Sequence, residues 1–314
     1  MNNTLLSYED FVLAFKEALE AEGRLPELGR AVRQQITRNN GIVCDAIIYS
    51  CESSGCMPIF YCRDWYARYQ TGKSPEALAE EAADLAAGCF RERDAEGLTD
   101  MILDYDRAKE RLIFRAVNAD RNRELLEHCP HVRQLDLALT FRLRIDEPGG
   151  RQGTVLVSRE IAEAWQVDPD TLYAQTAENM KRLYPPRLDA LTNVLERLAG
   201  EGRIMMENPL PMDAEDMPIY VLTNESGQEG ASVLFYTDQV RRFAQRHGCD
   251  ALIFPSSIHE LLLIPETFAR ADIDYSDMVR EINTQVVSDE EILSDHVYRY
   301  SLASDCLMIE QPRQ

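Results

Sequence analysis

Leu135, Leu137, Leu139, Phe141, Leu143 and Ile145 alternate without a break with Asp136, Ala138, Thr140, Arg142 and Arg144. A period of two puts successive side chains on opposite faces of an extended chain, so the run reads as a strand with one apolar and one polar face. Pro148, Gly149 and Gly150 follow, and then the apolar run "GTVLVS". A Pro-Gly-Gly turn between two such runs predicts an antiparallel hairpin. A sheet of this kind must bury its apolar face against another layer, which sets the fold class once helices are located.

Helical patterns are interspersed with the strands. Ser7 and Asp10 resemble a capping box ahead of Phe11, Phe15 and Leu19, which predicts an N-terminal helix with one buried stripe. "RAVRQQITR" and "IVCDAIIYS" flank Asn40-Gly41, a pair suited to positive φ at both central positions of a hairpin turn. The strand "PIFYC", the segment "RDWYARY" and a helix opened by Ser74-Pro75 complete a first unit over 1–95, and residues 96–314 form a second. There the expected helices cover about 168–182 and 187–199, with a further short one after Ser288. The expected strands include "RLIFRAVNA", "IYVLTN", "ALIF", "ELLLI" and the final hairpin "VYRYS" and "CLMIE". No regular strand-helix-strand alternation runs through the chain, so the expected class is α+β, with antiparallel sheets and packed helices.

Three segments echo one another. "IFYCRDWYARYQTGKSPEAL" and "VLVSREIAEAWQVDPDTL" share a strand, a helix ending in an aromatic, and a Ser/Asp-Pro cap on a second helix; "VLFYTDQVRRFAQRHG" repeats the first half. The similarity suggests duplicated strand-helix modules.

With 314 residues and 45% hydrophobic content, the chain can bury a sizeable core. Its 33 basic and 54 acidic side chains leave a net charge of -21, which repels phosphate backbones and anionic lipid. Neither nucleic acid nor membrane is an expected partner, and another protein, especially a basic one, fits better. No run reaches the length of a membrane helix, the start lacks the pattern of a signal peptide, and the eight cysteines read as reduced thiols. The expected location is therefore the cytoplasm.

The turn "PSSIHE" holds Ser256, Ser257, His259 and Glu260 between two apolar runs. These are the candidate catalytic residues: His259 as base, Ser256 or Ser257 as nucleophile, and Glu260 or the distant Asp136 as orienter. The competing reading is a strand-to-strand turn whose hydroxyls satisfy backbone groups. His259 does not complete a zinc-protease pattern, because Leu263 stands where the second imidazole belongs. His128, Cys129 and His131 lack partners at structural-zinc spacing, and "DIDYSDMVREIN" lacks the Gly and Glu of a calcium loop. No phosphate-binding glycine loop is present. Accordingly, no metal and no cofactor are expected. Trp65, Tyr66 and Tyr69 read as core, and Arg121, Arg123, Arg142 and Arg144 as surface charges paired with nearby acids. "MMENPLPMDAEDMP" offers an adaptable contact loop.

The stretches "RNRELLEHCPH", "LDLALTFR", "NMKRLYPP", "MPIYVLTN", "GASVLFY", "FPSSIHELLL" and "EILSDHVYRY" resemble a family of uncharacterised bacterial proteins of gut Firmicutes, catalogued as domain of unknown function 5688. The resemblance implies no activity. The residues themselves favour a non-catalytic cytoplasmic binding or adaptor protein; the alternative is a hydrolase or transferase using the Pro255 to Glu260 turn.

Overall fold

Asn40 and Gly41 both take positive φ, 60° and 70°, the conformation that the Asn-Gly pair was chosen to allow. In the computed structural model this turn joins β1 (Arg30–Thr37) to β2 (Val43–Ser50), antiparallel from Arg30↔Ser50 to Thr37↔Val43. The structure describes residues 5–25, 29–50, 57–91, 95–146, 152–201, 218–270 and 272–311. The chain divides into two units, Met1–Asp104 and Tyr105–Gln314, and its class is α+β with antiparallel sheets.

In the first unit β2 lies between β1 and β3 (Ile59–Tyr61). Helix α1 (Tyr8–Ala21) starts where Ser7 Oγ accepts the Asp10 N–H at 3.2 Å, and it buries Phe11, Phe15 and Leu19 completely. Helix α2 (Cys62–Gln70) and helix α3 (Pro75–Arg91) follow, and then α4 (Ala95–Leu103). Trp65 and Tyr69 join the core, with Phe11 4.9 Å from Tyr69 and Phe15 5.2 Å from Trp65 between ring centroids. Burial pushes the Cys62 thiol up to about 12. Ser74 Oγ accepts the Ala77 N–H at 3.2 Å ahead of Pro75, the cap that the sequence pattern anticipates.

The second unit contains α5 (Tyr105–Ala108), β4 (Leu112–Asn118), α6 (Arg123–Glu127), β5 (His131–Gln134), β6 (Leu137–Asp146), β7 (Gln152–Leu156), α7 (Arg159–Trp165) and α8 (Pro169–Leu183). Strand β6 is its organising element. One edge pairs with β4, while the other pairs with β5 from Leu137 to Thr140 and with β7 from Arg142 to Asp146. Helix α8 packs on β4, with Tyr173 stacked on Phe114 at 5.9 Å.

A six-stranded sheet follows, in the order β13-β12-β10-β11-β9-β8. Its strands are β8 (Pro186–Ala190), β9 (Tyr220–Asn224), β10 (Ala251–Pro255), β11 (Leu261–Pro265), β12 (Tyr298–Ser301) and β13 (Cys306–Ile309). Between them lie α9 (Leu191–Gly200), α10 (Gln239–His247) and α11 (Tyr275–Gln285). Ile253, Leu263, Tyr220 and Tyr298 are cross-strand neighbours and share one face, against which Phe243 of α10 packs. On the other face Leu252, Phe254 and Ile264 pack with Val279 of α11.

The structure corrects several local expectations. Residues 186–190 begin not a helix but an edge strand, where a proline without N–H is tolerated. "GASVLF" is a 3-10 segment, Gly230–Phe235, not a third copy of the strand; its residues 230–233 are buried, and Ser232 Oγ accepts the Ala116 N–H of β4 at 3.0 Å. The first two echoes do keep their order of strand, helix and Pro-capped helix. The segment after Ser288 is a single turn, closed by Glu291 N–H to Ser288 O at 2.7 Å. The polar face of β6 is not exposed throughout: Ala138 and Thr140 are fully buried, since α6 covers that half. The Pro148 to Gly150 turn and most of the Pro/Met-rich loop lie outside the described residues.

Two measurements follow. A Cβ at position 230 would stand 2.5 Å from His259 O and 2.9 Å from Asn224 N. Gly230→Ala should therefore cost about 1–3 kcal/mol in urea unfolding of the full chain, as overpacked sites do; an unchanged midpoint would show that the junction yields. In the first unit Arg33 bridges Glu9 and Asp45, and its hydrogen bonds hold the Asp45 carboxyl below the ordinary 3.8. A depressed folded value adds stability that is present above the ordinary value and disappears as the pH falls through the folded one. Asp45→Asn should flatten the acid limb of the melting-temperature profile while leaving its neutral-to-basic shape unchanged.

Candidate functional site

The turn between β10 and β11 is tied by its own backbone. Ser257 N–H donates to Glu260 O at 3.3 Å, and Ser257 Oγ accepts the His259 N–H at 3.0 Å. Neighbouring segments hold it from outside: Ile258 N–H reaches Glu291 O at 2.9 Å, Thr223 Oγ donates to His259 O at 2.8 Å, and Ala231 N–H donates to Ile258 O at 3.2 Å. The hydroxyl of Ser257 is thus used to form the turn, the role expected of serine at such positions.

His259 looks away from this hydroxyl. Its Nδ1 accepts the Glu229 N–H at 3.1 Å, which places the proton of a neutral ring on Nε2, and Nε2 lies 3.6 Å from Glu291 Oε1. The side chains of His259 and Glu291 are 35% and 47% exposed. Asp136, the distant acid, is engaged elsewhere: it accepts from Ser294 Oγ at 2.6 Å and from Tyr298 OH at 2.8 Å, and lies 3.6 Å from His296 Nδ1. Ser256 and Glu260 are partly exposed. The four candidate residues are close in space because they are close in sequence, and the imidazole faces partners from other segments.

One cavity borders this turn, and a second is lined by Glu229, whose N–H reaches His259. Pro255 and Ser256 line an apolar groove of about 270 Å³ with Phe254, Leu262, Met278 and Ile282. Met278 and Ile282 on the exposed side of α11, and Val286 just past its C-terminus, follow at four-residue spacing, 36%, 42% and 77% exposed. Asp274 caps that helix by accepting from the Ser276 and Asp277 N–H groups, so the stretch that looks like a calcium loop is a helix start. The second cavity is polar, about 180 Å³, and its lining includes Thr154, Tyr184, Asn224, Gln228 and Glu229.

Behind the polar cavity lies a feature that the sequence did not flag. Glu229 takes a left-handed backbone, φ 51°, and sends its N–H to His259 while its Oε1 lies 3.3 Å from Arg115 Nη1. Arg115 on β4 and Arg142 on β6 are on the same face of the sheet, because Arg115 opposes Thr140 and Arg142 opposes Ile113. Nη1 of Arg142 donates to Thr154 Oγ1 at 3.2 Å, and the Nε atoms of both arginines are buried without partners. Burial first, and then repulsion from Arg115, lower the Arg142 pKa. Arg142 thus departs from the expected paired surface charge, whereas Arg121 and Arg123 do pair, with Asp295 at 2.8 Å and Asp120 at 2.9 Å. One signal was available: Arg115 interrupts the otherwise apolar "LIFRAV". Nothing in "QEG" marks Glu229.

Cys129 is buried, with its Sγ donating to Leu125 O at 3.4 Å, and His131 Nδ1 lies 3.1 Å from Cys129 O. Among the described residues no group of three or more His, Cys, Asp or Glu side chains is placed to hold a metal ion, and no helix is long and apolar enough to cross a membrane. Those cysteines of the described residues that are free include Cys44, Cys62 and Cys129.

Ser257→Ala should cost about 1 kcal/mol of stability, the usual worth of one hydrogen bond. A chemical melt of that variant beside Ser256→Ala separates turn-forming from free hydroxyls, and equal losses for the two would contradict the assignment.

The model for a family of unknown function, DUF5688, matches residues 8–302, and the chain belongs to that family. Neither the curated proteins nor the solved structures contain a match.

Proposed function

We propose that this DUF5688 member is a non-catalytic binding or adaptor protein of the bacterial cytoplasm, and that it engages another protein through the groove beside α11. The observation that carries this reading is the apolar groove, with Met278 and Ile282 at its rim and Val286 continuing the stripe. Contiguous exposed apolar surface of this kind suits the apolar face of a partner helix. Asp274, Asp277 and Glu281 accompany the stripe, and the chain carries a net charge of -21, so the occupant is an amphipathic helix with basic flanks. The same charge disfavours nucleic acid and anionic membrane as partners.

The hydrolase or transferase alternative needs a hydroxyl presented to the His259 imidazole. The ring nitrogens meet the Glu229 amide and the Glu291 carboxylate instead, which favours binding over nucleophilic chemistry at this turn.

Ile282→Asp changes an exposed position and should leave the unfolding midpoint within about 0.5 kcal/mol of wild type. Binding of a basic amphipathic helical peptide, followed by fluorescence anisotropy, should weaken about tenfold or more if Ile282 is an anchor. Equal binding by the two proteins, or no binding by either, removes the groove from the proposal.

A further inference from the structure

We infer that the occupant of the α11 groove enters it with a tryptophan, and that Ser256 is the residue that reads the indole N–H. The inference rests on the groove reading above and names the side chain by which a partner helix is recognised.

The walls are apolar and partly aromatic. Phe254, Leu262 and Ile264 line the groove from the sheet, and Tyr275, Met278 and Val279 line it from α11. The rings of Phe254 and Tyr275 meet edge to face, 5.3 Å apart between centroids. A further ring among them gains the offset and edge contacts that aromatic groups prefer, together with the polarisable thioether of Met278. The volume of about 270 Å³ corresponds to about nine waters at roughly 30 Å³ each. A bicyclic side chain fills such a space, whereas a small aliphatic one leaves part of it empty and forfeits contacts.

Three polar side chains interrupt these walls. The Tyr275 hydroxyl accepts the Arg270 N–H at 2.9 Å. Asn283, 4% exposed, spends its amide hydrogens on Ser294 O at 2.9 Å and Asp295 Oδ1 at 2.8 Å, and keeps only an acceptor oxygen. Ser256 differs from both: among the described residues its hydroxyl has no hydrogen-bond partner, whereas that of Ser257 is used to form the turn. Ser256 is partly exposed and lines the groove, so an occupant that covers it takes its hydroxyl out of water. A purely apolar occupant leaves that hydroxyl unbonded, and an N–H donor restores the bond. Indole joins such a donor to a large apolar ring system and brings no acceptor that needs a partner of its own. A phenol is smaller and does bring one. Tryptophan is also among the side chains most enriched where interface energy is concentrated.

Skatole, the side chain of tryptophan as a free molecule, is the probe. It is titrated into the full chain carrying isotope-labelled methionine and isoleucine methyl groups, beside its benzothiophene analogue, in which sulfur replaces the N–H, and beside para-cresol. Skatole should shift the Met278 and Ile282 methyl resonances saturably and bind about tenfold more tightly than the benzothiophene, although the latter is the more apolar. Ser256→Ala should reduce skatole to the affinity of the benzothiophene while leaving the unfolding midpoint unchanged, since no bond within the protein is lost. Four results overturn the inference: no saturable shift from skatole, equal affinity of the two probes for wild type, an advantage of skatole that survives Ser256→Ala, or tighter binding by para-cresol. A basic amphipathic helical peptide with one tryptophan on its apolar face, compared with the same peptide carrying benzothienylalanine there, separates this inference from the groove reading. Equal binding of the two peptides removes the tryptophan and leaves the helix site. Binding of neither, with skatole behaving as expected, removes the partner helix and leaves the indole site.

Discussion

The second unit depends on what happens at the open edge of β4. One edge of that strand pairs with β6, and the other carries backbone groups that burial would leave unpaired at a cost of a few kcal/mol each. Buried side chains meet them: Asn179 Nδ2 donates to Leu112 O at 2.9 Å and to Lys109 O at 2.6 Å, and Ser232 Oγ accepts the Ala116 N–H at 3.0 Å. Asn118 Nδ2 then reaches Leu293 O at 3.2 Å. A sheet edge that would otherwise accept a foreign strand is closed. The helix α8, the 3-10 segment and the loop before β12 are each fixed to it by a polar contact.

From that junction the candidate site follows. The 3-10 segment can approach only because Gly230 has no side chain where Thr223, Asn224 and His259 converge. Its arrival puts Glu229 against Arg115 on one side and its amide against His259 on the other. The turn of the six-stranded sheet is thereby coupled to the arginine-bearing face of the four-stranded sheet. In this arrangement the His259 imidazole accepts the Glu229 N–H and faces the Glu291 carboxylate.

Much of the fold was legible where one local rule dominated. The Asn-Gly hairpin, the caps at Ser7, Ser74 and Asp168, and the strand from Leu137 follow from backbone freedom, side-chain acceptors and alternation. Legibility ended where a segment's state was decided by what lay across from it. "PRLDA" carries no strand pattern of its own and becomes β8 because β9 offers it an open edge, Leu188 against Leu222. "GASVLF" has the composition of a strand and becomes a 3-10 segment because Ala116 and Ile258 claim its polar groups.

The site divides in the same way. The sequence by itself determined that Ser257 and His259 sit in a turn between two buried strands, and that the chain is acidic and rich in antiparallel pattern, because these depend on neighbours along the chain. Only the tertiary structure decided that His259 faces Glu229, that Arg115 and Arg142 bury their Nε atoms on one face of the sheet, and that α11 leaves an apolar groove beside Ser256. Those contacts join residues separated by tens of positions or more, and a charge placed in a strand says nothing of its burial until the layer that covers it is in place.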